Sequence, residues 1–149
     1  MTMVDVGAFA SEAWDEAVRR WAWSYREVFA RHAPLVPVIA VMPVADAAGT
    51  LRMYEEVARG FRDGGWPEER IVPAIVALES FIYGSALDVM APVDIFEAGG
   101  AAESFPVFTA AVRSATAIAG EHPAADAAFR LGLESMIAGL RMQLAAYSS

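Results

Sequence analysis

The chain has 149 residues, of which 56% are hydrophobic, a formal net charge of −8 at neutral pH and no cysteine. This length suits one compact domain over residues 1–149. The negative charge argues against nucleic-acid binding by this chain alone, because phosphate contacts need a stripe of basic residues. The lack of cysteine excludes disulfides and thiolate metal sites. No uninterrupted apolar run approaches the roughly 20 residues of a membrane-spanning helix, and no secretory leader begins at Met1. We therefore expect a cytoplasmic protein that does not bind membranes.

The first predicted element is an amphipathic helix over residues 9–31. Apolar side chains, among them Trp14, Trp21 and Tyr25, recur there at steps of three and four, with polar residues such as Arg26 between them. Trp23 lies about 180° from this stripe at about 100° per residue. It is therefore expected to be either exposed or covered by a neighbouring helix or a partner.

Prolines and glycines divide the next part of the chain. Residues 35–42 are bracketed by prolines, and this pattern predicts a broken or 3₁₀-like helix. A second amphipathic helix is predicted over residues 45–63, with Tyr54 and Val57 on its apolar face. The pair Gly64-Gly65 should end it.

Two long helices, at residues 67–91 and 124–146, are apolar nearly all round. Pro73 should bend the first of them near its start. A helix in a monomer of this size normally exposes one side to water, so two helices without a polar side predict self-association. We expect both helices of two subunits to form a four-helix bundle in a C2 homodimer. The alternative is an ordinary monomer in which both helices are internal.

The last helix supplies the predicted dimer interface. Its glycines suggest a close approach of backbones, because glycine in a helix interior costs about 1 kcal/mol relative to alanine. The predicted interface consists of Phe129, Gly132, Leu133, Met136, Ile137, Gly139 and Leu140.

The remaining patterns complete an all-α fold of about six helices, two of them in the dimeric bundle. Residues 92–104 are rich in alanine and glycine and predict a flexible connection, and residues 105–119 predict a further helix. No alternation typical of strands is visible. No catalytic pattern is visible either, so we expect no catalytic residue and no enzymatic activity. His32 and His122 are interpreted as a helix-terminal and a loop residue, without metal.

Short motifs along almost the whole chain resemble the C-terminal domain of the tetracycline repressor family. Each motif alone is short, and the resemblance is specific because of their order and spacing. They are Glu12-Ala13-Trp14, Gly65-Trp66-Pro67-Glu68-Glu69, Phe81-Ile82-Tyr83-Gly84, Phe129-Arg130-Leu131-Gly132-Leu133-Glu134 and Ile137-Ala138-Gly139-Leu140-Arg141-Met142-Gln143-Leu144.

This resemblance implies the effector-binding and dimerisation domain of a transcriptional repressor. In the family, a helix-turn-helix domain precedes this domain and reads the operator as a dimer. That domain is missing here, and an excised domain is the favoured interpretation over a natural short protein. The resemblance implies that a small molecule enters the helical core and alters DNA binding by the paired heads. The alternative is a stand-alone dimerisation module without ligand or DNA binding of its own.

The resemblance also implies an effector pocket. Its wall is formed by Trp21, Tyr25, Ile39, Met42, Tyr54, Val57, Ile75 and Glu79. Tetracycline-binding members hold a magnesium-bound antibiotic with amide, imidazole and hydroxyl groups, and this chain has none of these at the matching positions. Tetracycline is therefore not the expected effector. Asp88 matches an acidic position near that metal, but one carboxylate does not define a hard-cation site, so no metal or other cofactor is predicted.

The chemistry of this wall favours a largely apolar effector. By spacing alone the set is typical of a plain hydrophobic core, and only the resemblance favours a pocket. Tyr25, Tyr54 and Glu79 are its candidate polar anchors. If Glu79 faces inward, its carboxylate beside Trp21 and the tyrosines would suit a lipophilic cation.

Overall fold

The computed structural model describes residues 4–43, 47–119 and 124–148, and within these ranges the chain is helical without strands. Its α-helices are α1 (Trp14–Ala30), α2 (Val36–Ile39), α3 (Ala48–Asp63), α4 (Glu68–Asp88), α5 (Pro106–Ala119) and α6 (Ala124–Tyr147). Short 3₁₀ helices lie at Gly7–Ala10, Ala33–Leu35 and Gly99–Ser104. The predicted all-α class is confirmed.

The first helix begins later than the sequence pattern predicts. Residues Gly7–Ala10 form a 3₁₀ helix, and Ala13 has extended backbone angles (φ −59°, ψ 147°) immediately before α1. Asp15 and Glu16 occupy the first turn of α1, where carboxylates interact favourably with the helix dipole. Trp23, opposite the apolar stripe, is covered by a neighbouring helix, because its ring packs edge-on against Phe129 of α6 at 4.7 Å.

The proline-bracketed segment and the end of α3 form as the sequence predicts. The segment contains one 3₁₀ turn followed by the single-turn helix α2. At the end of α3, the Gly65 amide donates to the Arg62 carbonyl and the Trp66 amide donates to the Phe61 carbonyl, at 2.9 and 3.1 Å. Gly65 has a φ of 91°, which favours glycine. With the Phe61 and Trp66 rings 5.3 Å apart, this is a Schellman motif with its hydrophobic contact.

Helix α4 is the centre of the domain, because it packs against α1, α3 and α6. Its inward side buries residues from Ile71 to Ala86 at helical spacing. The outward side is also apolar, with Val72 and Val76 exposed by 65% and 52%. The sequence analysis predicted apolar residues around the whole axis of this helix. The single chain covers only one side of it.

Helix α4 also meets a length and hydropathy criterion for crossing a membrane, although the sequence analysis found no uninterrupted apolar run of that length. The core helix of a soluble protein meets the same criterion. Because α4 packs against α1, α2, α3 and α6 of the chain, it occupies the position of such a core helix.

Helix α6 turns part of the predicted dimer interface toward the core of its own chain. Phe129, Leu133, Ile137 and Leu140 are buried in the core of their own chain, so these side chains are covered before any partner arrives. Met136 packs against the same core and is partly buried. The helical period turns this row of residues toward α1 and α4, since α6 contacts both helices.

The two glycines of the predicted interface differ in their surroundings. A Cβ atom added to Gly132 would lie 2.5 Å from the Phe81 ring of α4, whereas one added to Gly139 would meet no atom within 4 Å. The predicted close approach at Gly132 is therefore to a side chain of the same protomer. Gly139 remains open for contact with another molecule.

Helix α5 lies at the edge of the domain. It follows the 3₁₀ helix Gly99–Ser104 and packs against that helix and α6. Val107 and Phe108 remain exposed by 84% and 51%. The connection predicted to be flexible over residues 92–104 contains a 3₁₀ helix in its second half. His122 lies outside the described residues.

Candidate functional site

Four polar side chains meet in the core between α1, α3 and α4. The Tyr25 hydroxyl donates a hydrogen bond to Glu79 Oε1 at 2.9 Å, and the Tyr54 hydroxyl donates to the same oxygen at 2.6 Å. The hydroxyls of Tyr25 and Tyr83 lie 2.8 Å apart. We call these four residues the tyrosine–glutamate cluster. The three tyrosines come from three helices, so the cluster joins α1 and α3 to α4.

Burial controls the protonation of this cluster. Glu79 is only 7% exposed, and loss of water around its carboxyl raises the pKa of Glu79, although hydrogen bonds from the tyrosines act in the opposite direction. Burial likewise raises the pKa of Tyr25, Tyr54 and Tyr83. The three tyrosines therefore stay neutral near pH 7, and Glu79 is the group in the cluster that can carry charge.

Apolar side chains surround the cluster. Trp21, Val57 and Ile75 are buried, and the ring of Trp21 lies 5.4 Å from that of Tyr25. Among the described residues, the buried indole Nε1 of Trp21 has no hydrogen-bond partner. A buried donor of this kind carries a desolvation cost, which an acceptor group on a bound molecule would offset.

Six of the eight residues predicted to line the pocket therefore belong to one region of the core. They are Trp21, Tyr25, Tyr54, Val57, Ile75 and Glu79. Ile39 and Met42 do not join them, because they lie on the surface with exposed fractions of 37% and 60%. Both belong to the proline-bracketed segment, whose short helical turns bury Ala33 and Val36 instead.

Two polar residues of this region were not predicted as parts of a site. Tyr83 lies one helical turn after Glu79, so the i, i+4 spacing on α4 could have indicated it. Arg26 was grouped with the polar side of α1, yet it is only 5% exposed. Its guanidinium donates to Asp126 Oδ1 of α6 at 2.7 Å and to Ser85 Oγ of α4 at 2.9 Å, so it ties three helices together.

The described part of the chain contains no cluster of three or more residues suited to hold a metal ion. Asp88 is exposed at the end of α4 and His32 is exposed before a 3₁₀ turn. A separate open cavity of about 600 Å³ lies between the Gly99–Ser104 helix and α5, with Phe96, Val112 and Arg113 among its lining residues. It is formed by other residues than the tyrosine–glutamate cluster.

A second candidate site is the outer surface of α4 and α6. Val72 and Val76 of α4 and Leu131 and Met142 of α6 are exposed by 52–76%. The two helices pack side by side, since Phe81 of α4 contacts Gly132 of α6. Their exposed sides form what we call the bundle face, a surface that carries apolar side chains without a cover in the single chain.

A model of the tetracyclin repressor-like C-terminal domain matches residues 9–144. Comparison with curated proteins gives no significant match. Because the family model matches well over half of the 149 residues, the chain belongs to this family, as its motifs indicated. Domains of this family are regulatory and of a non-enzymatic kind, and they dimerise and bind small-molecule effectors.

Proposed function

From this family membership, we propose that the domain binds a largely apolar small molecule beside the tyrosine–glutamate cluster and dimerises through the bundle face. Binding then alters how an N-terminal DNA-binding domain engages its operator, so that the whole protein represses transcription in the cytoplasm. The observation that carries the proposal is the tyrosine–glutamate cluster, a group of polar side chains inside an otherwise apolar core. A core that served packing alone would gain stability by avoiding such a buried acid.

The arrangement of the cluster supports a sensor. Small-molecule sites are mostly apolar, with a few convergent polar groups that orient the ligand. Trp21, Val57 and Ile75 supply the apolar wall, and Glu79 with its tyrosines supplies the polar groups. Tyr54 and Tyr83 are only partly buried, so the cluster lies within reach of the surface between α3 and α4.

The same cluster supports a route for the signal. Tyr25 lies on α1, at the N-terminal side of the domain, and Glu79 lies on α4, which carries half of the bundle face. A ligand that separates Tyr25 from Glu79 changes the packing of α1 against α4. Two states that differ in this packing bind the ligand with different affinity, which is the requirement for coupling to a second site.

A second candidate is a dimerisation module without an effector. The exposed apolar residues of the bundle face favour it, because they require a partner whether or not the core binds a ligand. Both functions share the fold and the interface. They differ in whether a small molecule stabilises the folded state.

Thermal melting of the purified domain tests the proposal. The panel contains neutral aromatics, fatty acids and lipophilic cations, and the mass in solution is measured alongside. A ligand that binds only the folded state at about 100 times its Kd stabilises it by about 2.7 kcal/mol. The test variant is Tyr54→Phe, which removes one hydroxyl of the cluster.

A dimer stabilised by one chemical class, with a smaller shift in Tyr54→Phe, supports the sensor. A dimer whose melting temperature responds to no class contradicts it and favours the dimerisation module. A monomer at all concentrations contradicts the role of the bundle face in both functions.

A further inference from the structure

We propose, on the basis of the function above, that the effector is an aromatic organic cation whose charge is neutralised by Glu79. The argument for this class of effector is that the carboxylate of Glu79 has no cationic partner among the described residues. The proposal goes beyond an apolar effector, because it assigns both the sign of the ligand's charge and the residue that binds the charged group.

The first step of the argument is that Glu79 lacks a cationic partner within the described part of the chain. The hydrogen bonds to its carboxylate come from tyrosine hydroxyls. The nearest buried cation along α1 is Arg26, one residue after Tyr25, and its guanidinium is directed to Ser85 and Asp126. An unpaired buried carboxylate is costly, and a bound cation would lower that cost.

The second step is that the surroundings suit an aromatic cation rather than a metal ion. A divalent cation needs about six or more oxygen ligands, several of them water, and a single carboxylate with three neutral hydroxyls in an apolar core supplies too few. The rings of Trp21, Tyr25 and Phe29 form a chain of contacts, with centroids 5.4 and 4.8 Å apart. Aromatic faces attract a diffuse organic charge and bury its apolar surface.

The third step is that no other charge in the cluster competes with Glu79. The titratable groups that face it are Tyr25 from α1, Tyr54 from α3 and Tyr83 from α4. Burial raises the pKa of all three tyrosines, so they remain neutral hydrogen-bond donors. The site is therefore anionic when Glu79 is ionised and neutral when Glu79 is protonated. Cation affinity should fall as the pH is lowered.

The experiment compares three phenyl-substituted probes by isothermal titration calorimetry, of which the cation and the anion are nearly equal in shape and the neutral probe is smaller. They are tetraphenylphosphonium, which is a cation, triphenylphosphine oxide, which is neutral, and tetraphenylborate, which is an anion. The variants are Glu79→Gln, which keeps an oxygen acceptor for the tyrosines, and Glu55→Gln as the matched control. Glu55 is an exposed acid on the same helix as Tyr54 and pairs with Arg59 at the surface.

We expect the phosphonium to bind more tightly than the neutral probe, and the borate more weakly than either. Glu79→Gln should raise the Kd of the phosphonium about tenfold or more while leaving that of the neutral probe within about twofold. Glu55→Gln should change neither. For the unmodified chain, phosphonium affinity should decrease between pH 8 and pH 5, and this decrease should vanish in Glu79→Gln.

Each other outcome contradicts the charge assignment. If the neutral or anionic probe binds as tightly as the phosphonium, or if Glu79→Gln has no effect, the effector is not recognised as a cation, while a sensor of apolar molecules stands. If no probe binds, the cation proposal is overturned for aromatic ligands of this size. The broader melting panel then decides separately whether the domain binds any effector.

Discussion

Glu79, the proposed anchor of the effector, is a buried acid that should lower the stability of the folded state. Because burial raises its pKa, the folded state binds a proton more tightly than the unfolded chain does. The contribution of Glu79 to stability is therefore most favourable below its unfolded pKa and is lost as the pH rises through its folded pKa. We expect Glu79→Gln to melt at a higher temperature than the unmodified chain at pH 8, with the difference shrinking toward pH 4.5. Melting curves across this range test it, with Glu55→Gln as control. A difference that grows toward low pH would contradict it.

Among the described residues, Arg26 is the second buried ionic side chain, and its contribution to stability has the opposite sign. Its pair with Asp126 joins side chains that are 7% and 34% exposed, so water screens the acid but hardly the guanidinium. Arg26→Met should lower the free energy of unfolding by about 2 kcal/mol, below the range for fully buried pairs. The control is Arg20→Met, whose side chain is 64% exposed and should cost less than about 0.5 kcal/mol. Urea denaturation measures the free energy of unfolding of both variants. If the two substitutions lower it equally, the ion pair between Arg26 of α1 and Asp126 of α6 does not stabilise the fold as expected.

At the scale of single residues, the sequence predicted Glu79, Tyr25 and Tyr54 as anchors but missed Arg26. Periodicity assigns a face to each position, and it assigned Arg26 to the polar one. It cannot show that Ser85 and Asp126 reach that position from distant parts of the chain. Burial of a charged group depends on such partners, which come together only when the helices pack.

At the scale of helices, the contact between α4 and α6 depends on Gly132. An added Cβ would lie 2.5 Å from the Phe81 ring, which stacks on Phe129 at 5.2 Å with 6° between planes. Gly132→Ala should therefore lower the free energy of unfolding by about 1–3 kcal/mol, although alanine is the better helix former. Gly49→Ala is the control, because no atom lies within 4 Å of its added Cβ. It should be neutral or stabilising, and a similar result for Gly132→Ala would show that Phe81 moves aside freely.

The sequence predicted the order of the helices and which of them are amphipathic. It did not predict which surfaces of the helices pack against one another. Gly64-Gly65 ended α3 as expected, because glycine at positive φ is a local requirement of the Schellman motif. The start of α1 was misplaced because Phe9 is apolar and close in sequence to the stripe, although it belongs to the 3₁₀ helix before α1. Phe129 and Leu133 were assigned to a partner because sequence shows that a helix is apolar all round. It does not show which side its own chain covers.

At the scale of the whole molecule, the apolar residues that the chain leaves uncovered predict how it associates. Leu131 and Val76, exposed by 72% and 52%, lie on the two helices of the bundle face. If the bundle face forms the interface of a symmetric pair, glutamate at either position would introduce one charge from each subunit into an apolar contact, at a cost in desolvation. Leu131→Glu and Val76→Glu should each weaken the dimer by about 100-fold or more, with helix content unchanged.

Sedimentation equilibrium across protein concentrations measures this change, and circular dichroism reports helix content. Val107→Glu provides the control, because Val107 is 84% exposed on α5, away from α4 in the chain's own packing. If Val107→Glu separates the subunits while Leu131→Glu does not, the dimer forms through α5 and not through the bundle face. Helix α4 carries both Glu79 and part of the bundle face. If the two sites are coupled through this helix, loss of the dimer should change the affinity for the effector, because coupling between binding sites is reciprocal. An unchanged affinity would mean that the effector site and the dimer interface are independent.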